Sequence, residues 1–282
     1  MCCRVSVRTK ARIPVGRSVQ LSRGCRKSQG GAGPRVSATA PRAVSLAPVL
    51  GRATAPVAAL AAVAIRLAAQ APAYRYGWGD AATTAGAVAV ALLPSALRLP
   101  SLPPPCAPCD PAALWSIDRR VLGADSRGAG TASDLTLAGV VGIGGVFAVG
   151  GAPPGVARGD AAVYGDALAL TFAATNWTKA LAHRSRPVLY TSGATAAAGV
   201  RDNRLSFPSG HAALAFAAAT SYLVLARRQH LRHGTRNAVL LYVGAASVGA
   251  LRLEAGRHFP TDVLGGAALG SAVGWLVARF HP

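Results

Sequence analysis

Acidic residues are scarce in this 282-residue chain: ten Asp and Glu stand against 30 Lys and Arg, and none precedes Asp80. Charged side chains of both signs make up only 14% of the sequence, where a soluble domain carries about 25%. That is too little charge to dress a soluble surface. Aromatic residues contribute 6% and methionine one residue, while the AVILMFWYC set reaches 51%, which excludes a disordered chain. Cysteine is equally thin, with five residues of which Cys2, Cys3 and Cys25 lie in the first 25 positions, so a disulfide-stapled miniprotein is excluded. The length allows one or two domains with ample core. The solvent that this composition fits is lipid.

The net charge of +20 suggests nucleic acid until it is mapped. Residues 1–79 hold 13 Lys and Arg and no acid, leaving 17 basic and 10 acidic side chains in 80–282. No basic stripe interleaved with aromatics remains there, so no nucleic-acid partner is expected. Residues 1–50 are Arg-rich, hydroxyl-rich, acid-free and broken by Gly and Pro, the composition of an organellar targeting segment. A secretory signal needs an apolar run of about 7–15 residues after its basic start, and none occurs before residue 43. A plastid is favoured over a mitochondrion, VSATA at 36–40 resembling a processing neighbourhood; the alternative is a basic tail of a bacterial inner-membrane protein.

From residue 51 to 282 long apolar stretches alternate with short polar or Pro/Gly-rich joints. A spanning helix needs about 20 mostly apolar residues. Residues 81–97, 135–157, 161–182, 209–226, 237–251 and 262–279 predict spans or near-spans, and 53–72, which carries Arg66, predicts a spanning or interfacial helix. The expected architecture is all-α: a polytopic membrane bundle of about six helices. Gly266, Gly270 and Gly274 recur every fourth residue, which lets a neighbouring backbone approach closely. Trp177 and Trp275, near helix ends, suit interfacial anchors.

Chemistry concentrates in three blocks. In KALAHRSRP, six residues separate Lys179 from Arg186-Pro187; an ammonium and a guanidinium are complementary holders of phosphate oxygens. In SFPSGH, Ser209 is placed as the N-cap of the next helix, Gly210 clears space for a ligand, and the first free amides favour an anion. His211 follows in the first turn, able to move a proton near neutral pH. In LRLEAGRHFPTD, Arg252 is followed by His258 and then, four residues on, Asp262, which is placed to accept one imidazole N–H and leave the other nitrogen free to act as a nucleophile.

The pattern K-x6-RP, PSGH and R-x5-H-x3-D resembles the superfamily of type 2 phosphatidate phosphatases and vanadium haloperoxidases, over about 135–282 and most strongly over 179–270. The resemblance implies an all-helical core with its active site at helix ends on one membrane face. It implies that His258 is a nucleophile forming phosphohistidine, oriented by Asp262, and that His211 protonates the leaving alkoxide and then activates water. It implies that Lys179, Arg186, Ser209, Gly210 and Arg252 hold the phosphoryl oxygens. Leu251 stands where the family usually has Ser, so altered local packing is expected with Arg252 retained.

The expected protein is therefore a membrane-embedded lipid phosphate phosphatase, acting on a phosphatidate-like monoester or a lipid pyrophosphate. The motifs bring no clustered carboxylates for Mg²⁺, so neither metal nor cofactor is expected. The alternatives are a vanadium-dependent haloperoxidase-like enzyme, or an inactive lipid-binding or transport protein. The basic connection 227–236 falls on the face opposite the site, and positive-inside placement would turn the site away from cytoplasm or stroma. The connection 98–134 falls on the catalytic side and carries Cys106 and Cys109, too few ligands for zinc and expected to be an incidental or local structural pair, with a redox-active or disulfide role in an oxidising lumen as the alternative.

Overall fold

The computed structural model describes residues 74–101, 103–152 and 155–281. The expected targeting segment 1–50 and the helix expected at 53–72 lie outside the described residues. Among the described residues the fold is all-α, with six long helices: α1 (Trp78–Ala96), α2 (Arg127–Gly150), α3 (Ala157–Ala182), α4 (Gly210–Arg228), α5 (Gly234–Glu254) and α6 (Pro260–Phe280). Each expected apolar stretch from 81 onward coincides with one of them. The largest difference is α2, which begins at residue 127 instead of 135, because Ser126 caps it by accepting from the Ala129 amide at 3.1 Å. Its two added turns bring Ser133 and Asp134 into the helix.

Two helices, α2 and α6, are long and apolar enough to cross a membrane, with mean hydropathies of 1.7 and 1.5. Helix α3 instead carries four charged side chains, Arg158, Asp160, Asp166 and Lys179. Length and composition thus support fewer spans than the six expected.

Helix α4 is central and packs on α2, α3, α5 and α6. Its Ala212, Ala213, Ala215, Ala217, Ala218 and Ala219 are all inaccessible to solvent, as a helix apolar all round requires. The α6 glycines meet it backbone to backbone: a Cβ at Gly266 would lie 2.4 Å from the Ser209 carbonyl oxygen, and one at Gly270 only 1.9 Å from that of Ala213. The expected close approach is present. Large apolar side chains point outward instead, among them Leu92 on α1, Val146 on α2, Val243 on α5 and Leu264 on α6.

The ends of α1, α3 and α5 and the starts of α2, α4 and α6 meet at one end of the bundle. Ser126 N–H donates to the Glu254 carbonyl, Ser209 N–H to that of Asp262, and Arg201 Nη1 to that of Leu99. The connection after α1 also folds back on this end, where Cys109 N–H donates to the Leu189 carbonyl. Cys106 and Cys109 are joined in a disulfide across three positions, against the sequence expectation of an incidental or local structural pair. At the other end, Gln229 donates to Asp160 and Tyr74 to the Ala278 carbonyl. Asp166 is buried, as a packed helix polar group should be, and lies with Asp80 and His281 in a group whose ligand atoms fall within 4.8 Å of one another.

Candidate active site

His258 lies between α5 and α6 and is 1% exposed. The turn leading to it needs Gly256, whose φ of +62° and contact with the Ala124 carbonyl leave no room for a side chain. The imidazole Nδ1 donates to the Ser206 carbonyl at 2.8 Å, which fixes the tautomer and leaves Nε2 as the lone-pair nitrogen. Nε2 makes no hydrogen bond among the described residues. Burial, reinforced by the Arg186 and Lys179 cations and opposed by Asp262, pushes the His258 pKa down to about 3. The ring is neutral at any physiological pH.

Asp262 is placed differently from the expectation. Its Oδ2 lies 3.7 Å from His258 Nδ1, beyond hydrogen-bond length, so the ring N–H goes to Ser206. The carboxylate is held elsewhere: Oδ2 accepts from Ser206 Oγ at 2.5 Å and from the Phe259 amide at 2.9 Å, and Oδ1 accepts from Arg184 at 2.5 Å. The Phe259 bond closes the first turn of α6 behind Pro260, and that capping geometry draws Asp262 off the imidazole. It remains an anion beside the ring and a partner of Ser206.

Lys179 and Arg186 lie within electrostatic reach of His258, and Arg252 within reach of Lys179. Lys179 occupies the last turn of α3, which ends at His183 in the left-handed conformation, and a Cβ added at Gly210 would lie 3.7 Å from Lys179 Nζ. Arg186 is 4% exposed, its Nη2 2.9 Å from Asp202. Arg252 ends α5 and donates from Nη1 to Ser133 Oγ at 3.1 Å, with Asp134 Oδ1 at 3.4 Å. Ser209 is the N-cap residue of α4, as expected, yet its hydroxyl makes no cap bond. Ser209 Oγ, Arg252 Nε and Thr175 Oγ1 are buried without hydrogen-bond partners among the described residues, although buried polar groups are nearly always paired.

His211 begins α4, and its Nε2 is 2.7 Å from Asp134 Oδ1. Asp134 therefore faces both His211 and Arg252, as one anion shared by two donors. A cavity of about 400 Å³ lined by Asp134, His211, Arg252 and Arg257 opens here, and another of about 500 Å³ lies beside Arg186 and Arg257. Every site residue read from the three blocks is thus gathered at one end of the bundle. Sequence reasoning missed Ser206, Arg184, Asp118 and Asp134. The Ser126 cap signal was present and would have put Asp134 on a helix facing the site.

Comparison with known proteins follows the same segment. The PAP2 superfamily model matches residues 160–282. A lipid A 1-phosphatase of Porphyromonas gingivalis is 43% identical over 74 residues, which is 25% of this chain and 15% of that protein. The chain thus aligns with only a small part of the length of that relative. No solved structure matches the chain at a significant level. The matched segment contains all eight residues read from the sequence, Lys179, Arg186, Ser209, Gly210, His211, Arg252, His258 and Asp262. Asp118 and Asp134, which contact the site, precede it.

Proposed function

We propose that the protein is a membrane-embedded, metal-independent lipid phosphate phosphatase, with a phosphatidate-like monoester as leading substrate and lipid pyrophosphate as the related one. The observation that carries this reading is the pairing of a neutral, buried His258, its Nε2 free, with Lys179, Arg186 and the unpaired Ser209 Oγ and Arg252 Nε. Three cations and a hydroxyl around one nucleophilic nitrogen suit a tetrahedral phosphoryl group, for which catalysis is mostly positioning and charge stabilisation.

In the first step, His258 Nε2 attacks phosphorus and the P–O bond to the lipid breaks. His211 gives a proton to the departing alkoxide. In the second, water attacks the phosphohistidine, its proton goes to His211, and the P–N bond breaks to release phosphate and neutral His258. Lys179, Arg186, Arg252, Ser209 and the Gly210 amide at the start of α4 hold the equatorial oxygens. The entering phosphoryl replaces the Asp134 carboxylate on His211 and Arg252, so one anion is exchanged for another. With water as the only co-reactant, all of these parts are side chains or backbone of the chain itself.

Membrane embedding is supported by outward-facing Leu, Val and Ile on α1, α2, α5 and α6 around an alanine core, with the ionisable groups concentrated toward the helix ends. An organelle, a plastid first, is the proposed location on the composition of residues 1–50. A fluorescent fusion of that segment tests it, and a cytosolic signal would sink it.

The test of the function is phosphate release from a lipid phosphate panel in detergent with EDTA, comparing wild type with His258→Ala. Release by wild type and none by the variant is expected, with ³²P retained on wild type alone after acid-free quenching. No release from any lipid by folded protein would overturn the reading.

A further inference from the structure

We propose that Asp118 and Arg184 are a positioning pair for His258, acting through Asp262 and Ser206; the inference rests on reading His258 as the nucleophile. Arg184 lies in the unspecified stretch between Lys179 and Arg186, and Asp118 lies in the connection before α2, outside the segment that matches the PAP2 superfamily. Asp118 lies in none of the three sequence blocks, and Arg184 lies within the first without being one of its specified residues.

The geometry is a closed relay. Arg184 Nη1 donates to Asp262 Oδ1 at 2.5 Å and to Thr261 Oγ1 at 2.6 Å, while Nη2 donates to Asp118 Oδ2 at 2.7 Å. Its guanidinium lies 4.6 Å from the Phe259 ring centroid, which fixes the plane of the fork. Asp118, 1% exposed, takes the Thr261 amide at 3.1 Å on one oxygen and the Thr261 hydroxyl at 2.8 Å on the other. The backbone of Arg184 completes the circuit: its carbonyl accepts from Ser206 N–H at 2.9 Å.

Two groups face His258 Nδ1: the Ser206 carbonyl, which accepts its proton, and the Asp262 carboxylate. Arg184 holds the first by its backbone and the second by its side chain. Asp118 in turn orients Arg184 and anchors the start of α6. With both Asp262 oxygens occupied, the carboxylate cannot rotate, and so cannot take the imidazole proton from Ser206. Arg184 also places one cation between two buried carboxylates, which would otherwise face each other unpaired.

The test compares wild type with Arg184→Gln, Arg184→Lys and Asp118→Asn on a lipid phosphate, following kcat, KM and the acid limb of kcat/KM, together with NMR of ¹³C-labelled histidine, His258→Asn assigning the signal. Lys179, Arg186 and Asp262 face His258 and are unchanged in all three variants. Without the Arg184 charge, Asp262 acts on the imidazole uncompensated. Arg184→Gln is therefore expected to raise the His258 titration and the acid limb by about one pH unit, to lower kcat about 10- to 100-fold, and to leave KM within about threefold. Arg184→Lys keeps the charge and loses the fork, so the limb returns while kcat stays depressed. Asp118→Asn lowers kcat without raising the limb.

An unshifted His258 titration in Arg184→Gln overturns the inference, and so does an activity loss that only tracks a fall in thermal stability across the three variants. Where Arg184→Gln fails to fold, Arg184→Lys carries the test, and a wild-type kcat in it overturns the inference. Wild type inactive on every lipid phosphate would overturn the function instead, and the NMR titration would still decide the relay.

Discussion

Burial of His258 makes the folded protein sensitive to acid in a window set by that one ring. Its pKa falls from 6.5 to about 3 on folding, chiefly by burial and then by the Arg186 and Lys179 charges. A group depressed in this way contributes stability that is fully present above its unfolded pKa and lost as the pH falls toward the folded one. The window therefore runs from pH 6.5 down to 3. At about pH 4.5 the unfolded chain has taken up a proton that folded His258 refuses, and about two units at 1.36 kcal/mol each give about 2.7 kcal/mol. Carboxylates titrate over part of the same range, so the comparison must be with His258→Asn, which keeps a donor for the Ser206 carbonyl and cannot titrate. Reversible denaturation in mixed detergent–SDS micelles at about pH 7 and 4.5 reads the difference. Wild type is expected to lose about 2 to 3 kcal/mol more than His258→Asn between the two conditions. Equal losses in the two proteins would refute a neutral, desolvated His258 and the nucleophile reading built on it.

Three further outcomes are expected. Ser209→Ala should lower kcat about 10²-fold, as removal of an oxyanion donor does, while stability stays within about 0.5 kcal/mol; the hydroxyl makes no cap bond, so a stability loss near 1 kcal/mol would show that it does cap. Asp134→Asn should lower KM, because the carboxylate that competes with the phosphoryl group is gone, and leave kcat within about threefold, because that carboxylate is displaced before the reaction; steady-state kinetics with an unchanged KM would remove Asp134 from the phosphoryl position. Gly270→Ala forces a Cβ to within 1.9 Å of the Ala213 carbonyl oxygen and should cost about 1–3 kcal/mol with a parallel fall in activity, whereas an unaltered melting curve would mean that α4 and α6 do not meet as described.

The three blocks were legible because each is short and places its residues on consecutive turns or at a helix start. Lys179, His211 and Arg252 stand at the ends of apolar runs, and periodicity alone locates those ends. Their partners were not legible for the opposite reason. Asp118 is 66 residues from Arg184 and Asp134 is 77 from His211, and a single Asp in a loop or helix carries no pattern that names a distant partner. Asp262 illustrates the limit of spacing: four residues from His258 on a turn entering a helix, it sits near the ring, yet the N-terminal amide of α6 competes for it. Ser206 then takes the proton through a backbone carbonyl, a group no side-chain motif can announce. The apolar, small-residue character of the helices was legible in composition, whereas only α2 and α6 are long and apolar enough to cross a membrane.

The same alanines and glycines explain how a precise anion site is built from helix ends. The first residue of α4 and the first turn of α6 must lie side by side, because Ser209 N–H bonds to the Asp262 carbonyl and the phosphate-holding residues flank that joint. Their separation is set along the whole α4–α6 contact, where Gly266, Gly270 and Gly274 lie against the backbone of Ser209, Ala213 and Ala217. A larger side chain at any of these positions would wedge the two helix starts apart and lengthen every distance at His258 together. Small residues inside and large apolar residues outside are therefore two sides of one arrangement. The helices must touch closely to hold the site, and the bulk excluded from their interfaces faces outward, toward the apolar surrounding that the proposed membrane embedding supplies.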